Sequence, residues 1–103
     1  MKMKASVSHE NMLIRQFRAD PRVAVSYLNT CVELAYKDDE PELILIALAT
    51  VAKAFGIGSV SKKASLRRES MHRMLSKRGN PEWNSLFRVL KAMNIRPKLE
   101  LAT

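Results

Sequence analysis

A single cysteine, Cys31, leaves this chain of 103 residues without the means to form an internal disulfide. It falls inside a helical pattern, where a small buried hydrophobe is the expected role rather than a reactive thiol. Glycine and proline are scarce, three and four residues, which excludes collagen-like repeats and the low-complexity composition of disordered chains. The longest mainly apolar stretch, Leu43 to Phe55, is interrupted by Thr50 and Lys53. It falls short of the roughly 20 residues that cross a bilayer and reads as a buried helix. The opening MKMKASVSHE carries lysines with no apolar run behind them, so a cytoplasmic protein without a signal peptide is expected. His9 and His72 have no Cys, His or acidic partners at ligand spacing, which argues against a metal site. Neither a nucleophile–base pair nor a Gly-rich phosphate loop is present, so we expect no catalytic residues, no cofactor and no enzyme activity.

What is present is a chain 47% hydrophobic with helical periodicity along most of its length, enough for one small domain. Residues 1–8 read as a flexible tail. In SHENMLIRQFRA, Met12, Leu13 and Phe17 stand at helical spacing behind a candidate cap, Ser8, giving a first helix that ends near Arg18. Asp20 and Pro21 then form a strong helix start, a capping carboxylate followed by a residue that needs no backbone donor in the first turn. Val25, Leu28, Val32 and Ala35 form the expected stripe, flanked by Ala24 and Cys31. The start signal recurs in DDEPELILIALATVAKAFG, with acids Asp38, Asp39 and Glu40 at the cap, Pro41, Glu42 at the positive end of the helix dipole, and Gly56 as the stop. Capping accounts for that acid cluster better than catalysis does. Apolar nearly all round, this helix should be the one the others cover. In GNPEWNSLFRVLKAMN, Asn80 is the expected cap and Pro81 the first helical residue, with Trp83, Leu86, Phe87, Leu90 and Met93 facing the core. The tail IRPKLELAT alternates Ile95, Leu99 and Leu101 with polar residues and reads as a short edge strand, limited to one-sided pairing by Pro97.

Charge divides the chain. Residues 1–58 hold seven Lys/Arg and seven Asp/Glu, whereas residues 59–103 hold eleven against three, so the whole net charge of +8 lies in the C-terminal part. An excess concentrated in this way points to a surface that meets a polyanion. Its centre is SVSKKASLRRESMHRML. Val60 and Ala64, four apart, give one buried side to a short helix; a turn falls at Ser65, with Leu66 just behind it. Met71, Met74 and Leu75 make the inward face of a second helix, ended by Gly79. Arg67, Arg68, Glu69, His72 and Arg73 remain outside, as the second helix of a DNA-binding helix-turn-helix requires. A solvated charged face, common to most surface helices, is the competing reading. The turn position needs a left-handed backbone, which at a serine costs on the order of 1 kcal/mol, and Arg67 is a poor N-cap.

The run VAKAFGIGSVSKKASLRRESMHRMLSKRGNPEWNSLFRVLKAMNI resembles the addiction-module antidote proteins, HigA-like antitoxins with a Cro/C1-type helix-turn-helix. DPRVAVSYLNTCVELA and DEPELILIALATVAKAFG are similar to the same family's N-terminal helices, so the resemblance spans residues 9–101. RESMHRMLSKRGNP is its most specific part. The chain departs from the family pattern with Ser65 for a glycine, Arg67 for a capping serine and His72 for a tyrosine.

The resemblance implies an all-α domain, and with the pattern above this gives five or six helices: N-terminal helices over residues 9–58, the helix-turn-helix and a closing helix over 59–94, and then the short edge strand over 95–103. It further implies a homodimer that binds its own double-stranded operator and neutralises a RelE/HigB-like toxin, an mRNA-cleaving ribonuclease. Arg68, Glu69 and Arg73 fall where Cro-like recognition helices face base edges, with Arg67 and His72 beside them. Arg68 and Arg73 are the expected base readers, since arginine bridges guanine O6 and N7, while Glu69 is expected to orient a neighbouring arginine. Ser59, Lys62, Lys63, Lys77, Arg78 and Asn80 are candidates for phosphate contacts from helix starts and loops. Two alternatives stand beside the antitoxin: a stand-alone phage-type repressor without a toxin, and a scaffold or RNA adaptor using the same basic face. RNA binding would call for exposed aromatics, of which the C-terminal part has few.

Overall fold

A computed structural model describes residues 2–103, with side chains from Ser8 onward. Six helices follow one another: α1 (Lys2–Ala19), α2 (Pro21–Asp38), α3 (Glu42–Phe55), α4 (Ile57–Ala64), α5 (Arg68–Met74) and α6 (Trp83–Ala92). The all-α expectation holds. The C-terminal strand does not form: no strand occurs among the described residues, and residues 95–103 carry no regular structure. A strand needs a neighbour to pair with, and this helical chain offers none. Leu99 and Leu101 are 95% and 93% exposed.

The first three helices form a unit around α3. Ala47, Leu48, Val51, Ala52 and Ala54 are buried against Phe17, Ala24 and Leu28. α1 begins at Lys2, so residues 2–8 of the expected tail lie in the helix and Ser8 is not its cap, while Met1 lies outside the described residues. On α1 the core takes Leu13, Ile14 and Phe17, leaving Met12 outside. Asp20 caps α2 as expected, accepting from the Arg22 backbone N–H at 3.0 Å, with Pro21 in the first turn. The Arg22 guanidinium, bonded to the same carboxylate at 3.0 Å, holds Asp20 below the ordinary carboxylate range. The α2 stripe is turned from the expected one. Ala24, Leu28 and Ala35 are buried and Cys31 half-buried, while Val25 and Val32 face outward. Tyr27 packs on Phe17 with ring centroids 5.1 Å apart. Burial, and then the adjacent Cys31, raise its phenol above the usual value.

Side-chain bonds tie α1 to the far end of α3. Lys53 Nζ pairs with the Glu10 carboxylate at 3.1 Å, and the buried Thr50 hydroxyl donates to the same group at 3.3 Å. Arg18 Nε donates to the Ala54 carbonyl at 3.2 Å. That carbonyl belongs to the last turn of α3, where the helix's own donors have run out. Gly56, at φ 98°, then breaks the helix, and α4 departs at 105° to α3.

Three helices end in the same way. Asp39, Ser65 and Asn94 adopt left-handed backbones with φ of 56°, 57° and 59°. The next residue's N–H reaches back five positions: Glu40 to Ala35, Leu66 to Ser61 and Ile95 to Leu90, each at 2.9 Å. This is the Schellman closure, made three times without glycine. Asp39 therefore ends α2 instead of capping α3, whose cap position, Pro41, offers no side-chain acceptor.

Candidate nucleic-acid interface

α4 and α5 are short because each has only one side to bury. On α4, Val60 and Ala64 are 2% and 1% exposed, and the buried Ser61 hydroxyl donates to the Gly58 carbonyl at 3.1 Å. The chain turns at Ser65, as its sequence position required, and the half-buried Leu66 anchors the turn. Arg67 stands at the cap of α5 in an extended conformation with no side-chain bond to the helix. Met71 is fully buried and Leu75 is 5% exposed, which fixes the inward side of α5. α6 packs against α4 and closes the unit through Val89 and Met93.

Four expectations change here. α5 ends at Met74 rather than at Gly79, and the segment to Gly79 is a turn in which Ser76 donates to the Arg73 carbonyl at 2.7 Å. Gly79 is needed for space: a Cβ there would collide with the Met74 carbonyl oxygen and lie 2.9 Å from that of Arg73. α6 starts at Trp83, so Asn80 does not cap it, and half-buried Pro81 anchors the incoming extended segment instead. Trp83 and Phe87 are 62% and 41% exposed, in a tilted pair with ring centroids 4.9 Å apart outside the core, which Leu86, Val89, Leu90 and Met93 fill at the same helical spacing three residues on.

Of the expected base readers, Arg67, Arg68, Glu69, His72 and Arg73 are all exposed. Arg68 differs in direction. Its guanidinium lies against Gly58 at the start of α4, where a Cβ would be 3.2 Å from Cζ. The reason is legible in the spacing, since Arg68 precedes the buried Met71 and Leu75 by three and seven residues and so stands on the inward edge of α5. Among the described residues Glu69 forms no ion pair. Ser59, Lys62, Lys63, Lys77, Arg78 and Asn80 are exposed along α4 and the turn after α5. Among the described residues the ion pairs are Arg22–Asp20 and Lys53–Glu10, so no basic side chain between residues 59 and 80 is neutralised by a carboxylate. The result is a basic surface of α4, α5 and their flanking turns, carried on a packed support. No group of three or more His, Cys, Asp or Glu suited to a metal occurs among the described residues.

The molecule is thus a small all-helical protein with a basic face on two short helices. Over residues 10–101 it matches the family described as "Probable addiction module antidote protein", and the chain belongs to that family. It is 34% identical over 70 residues to an uncharacterized protein of Haemophilus influenzae, covering 68% of each chain. No solved structure matches. Membership brings the role of antidote in a toxin–antitoxin pair, and with it a cognate toxin as partner.

Proposed function

We propose that this antitoxin is also an operator-binding repressor, with α4 and α5 as a Cro/C1-type helix-turn-helix and α5 entering the major groove. The observation that carries the reading is the unneutralised basic surface on the sides of α4 and α5 that packing does not use. Arg73, on the outer face of α5, reads a base, with Arg67, Glu69 and His72 beside it. Arg68 reaches the groove from its place against Gly58. Ser59, Lys62, Lys63, Lys77, Arg78 and Asn80 meet phosphates. The toxin is a RelE/HigB-like ribonuclease, and the protein works in the cytoplasm; no single described helix is long and apolar enough to cross a membrane.

One seven-residue helix reads few bases, so the reading includes a homodimer with half-sites about one turn, roughly 34 Å, apart. Exposed Trp83 and Phe87, the exposed Leu99 and Leu101, and an open cleft of about 500 Å³ lined by Phe87, Leu90, Ile95 and Pro97 support pairing through α6 and the tail. Family membership favours the antitoxin over a stand-alone repressor. Co-expression with the adjacent reading frame tests this: restored growth and a complex on a sizing column are expected, and failure of both refutes the toxin partner. Light scattering showing a strict monomer on palindromic operator DNA refutes the dimer.

A further inference from the structure

The surface of α2 is not explained by DNA binding. Val25, Asn29, Val32 and Tyr36 stand at i, i+4, i+7 and i+11, one stripe along the helix, next to the buried Ala24, Leu28 and Ala35. Val25 and Val32 are 37% and 43% exposed, and Tyr36 is 77% exposed. A tyrosine ring left in water by the fold, beside two branched aliphatics, is the composition of an interface anchor.

The charge around this stripe has the opposite sign to that of the basic face. Residues 20–42 hold six acids, Asp20, Glu33, Asp38, Asp39, Glu40 and Glu42, against Arg22 and Lys37. Asp20 is taken up by Arg22, while Glu33, Asp38, Asp39 and Glu40 are exposed and without ion partners among the described residues. Such a rim repels nucleic acid and attracts a basic protein. The stripe and the basic face are carried on different helices. α2 packs on α1 and α3, whereas α4 packs on α3, α5 and α6.

We propose that the α2 stripe of Val25, Val32 and Tyr36, flanked by Glu33 and, past the end of the helix, by Asp39 and Glu40, is the docking site for a basic surface of the toxin. The inference rests on the antitoxin reading above. A nuclease that holds RNA must present basic groups to a polyanion, and an acid-rimmed apolar strip complements them. Because the site is carried on α2 and the basic face on α4 and α5, which do not pack on α2, toxin and DNA bind together.

The test is a calorimetric titration of the purified toxin from the adjacent reading frame into the full-length protein and its variants. Tyr36→Ala is expected to weaken binding about tenfold or more, and Val32→Lys with Tyr36→Lys about 100-fold or more. Their helical circular dichroism and duplex affinity should stay at wild-type levels, which excludes misfolding as the cause. Glu33→Gln with Glu40→Gln, both at exposed positions, should weaken binding and flatten its salt dependence. Toxin-saturated protein should still shift the operator duplex. If wild-type protein binds the toxin and the α2 variants bind it equally well, the docking site is wrong and the antitoxin reading stands. If wild-type protein does not bind the toxin, the antitoxin reading itself fails. Variants that become monomeric while keeping toxin affinity would assign the stripe to a second copy and overturn the proposal.

Discussion

Ser65 controls the turn between α4 and α5, and its replacement by glycine has a predictable sign. The residue sits at φ 57° and ψ 44°. There an L side chain crowds the following carbonyl at a cost of about 1–2 kcal/mol. Its hydroxyl makes no hydrogen bond and is exposed, so Ser65→Gly removes no favourable interaction. The backbone bonds of the turn, Ser65 N–H to Lys62 at 3.1 Å and Leu66 N–H to Ser61 at 2.9 Å, are untouched. Against the relieved strain stands the wider freedom glycine gives the unfolded chain, about 0.4–1 kcal/mol. The difference is about 0–1.6 kcal/mol, centred on a gain of about 0.8 kcal/mol, or roughly 3–6 °C in Tm for a domain of this size. Urea and thermal unfolding followed by circular dichroism would measure it, with the denaturant slope unchanged. Ser65→Val, which adds a branched Cβ in the same conformation, should destabilise. A glycine variant no more stable than wild type, or less stable, would refute the claim that Ser65 is strained.

Other changes follow from the packing. Tyr27 has its phenol raised in the folded state, so the folded protein keeps its proton longer than the unfolded chain does. Stability should therefore be intact below about pH 10 and fall as pH rises above it; Tyr27→Phe should remove that component of alkaline unfolding, and an unchanged alkaline midpoint would contradict the assignment. Arg18→Met keeps the apolar stem but leaves the Ala54 carbonyl without its donor. It should cost about 1 kcal/mol in urea unfolding, whereas an unaltered midpoint would mean that water replaces the guanidinium. Gly79→Ala forces a methyl against the Met74 carbonyl and should destabilise by about 2 kcal/mol; a neutral result would show that the turn after α5 can move aside.

Features set by adjacent residues are readable in the sequence. Asp20 and Pro21 start α2, Gly56 ends α3, and Ser65 takes the left-handed turn, because each depends on one residue's backbone preference. Val60, Ala64, Met71 and Leu75 are readable as inward for a related reason: flanking charges leave a short helix one apolar side. On α2 the apolar residues are more numerous than one stripe can hold. Periodicity then gives no reason to bury Ala24, half-bury Cys31 and expose Val25 and Val32; small residues allow α3 a close approach, and that is settled in space. Trp83 and Phe87 escape sequence reasoning in the same way, since size alone does not decide between Phe87 and Val89. The tail's alternation needs a partner strand that the chain does not supply. Arg68 reads as outward by its charge, although its spacing from Met71 and Leu75 places it on the inward edge.

The central claim is that α5 reads sequence while α4 and its neighbours hold phosphates, and binding to operator and scrambled duplexes over a series of salt concentrations tests it most directly. Arg73→Ala should cost about 1–3 kcal/mol on the operator and little on scrambled DNA, because the deleted bonds carry sequence information. Lys62→Ala with Lys63→Ala should weaken both duplexes alike and flatten the slope of log affinity against log salt by roughly 0.9 for each phosphate no longer neutralised. If wild-type protein does not distinguish the two duplexes, or if Arg73→Ala weakens both equally, the basic face is an unspecific polyanion surface and the repressor reading is wrong.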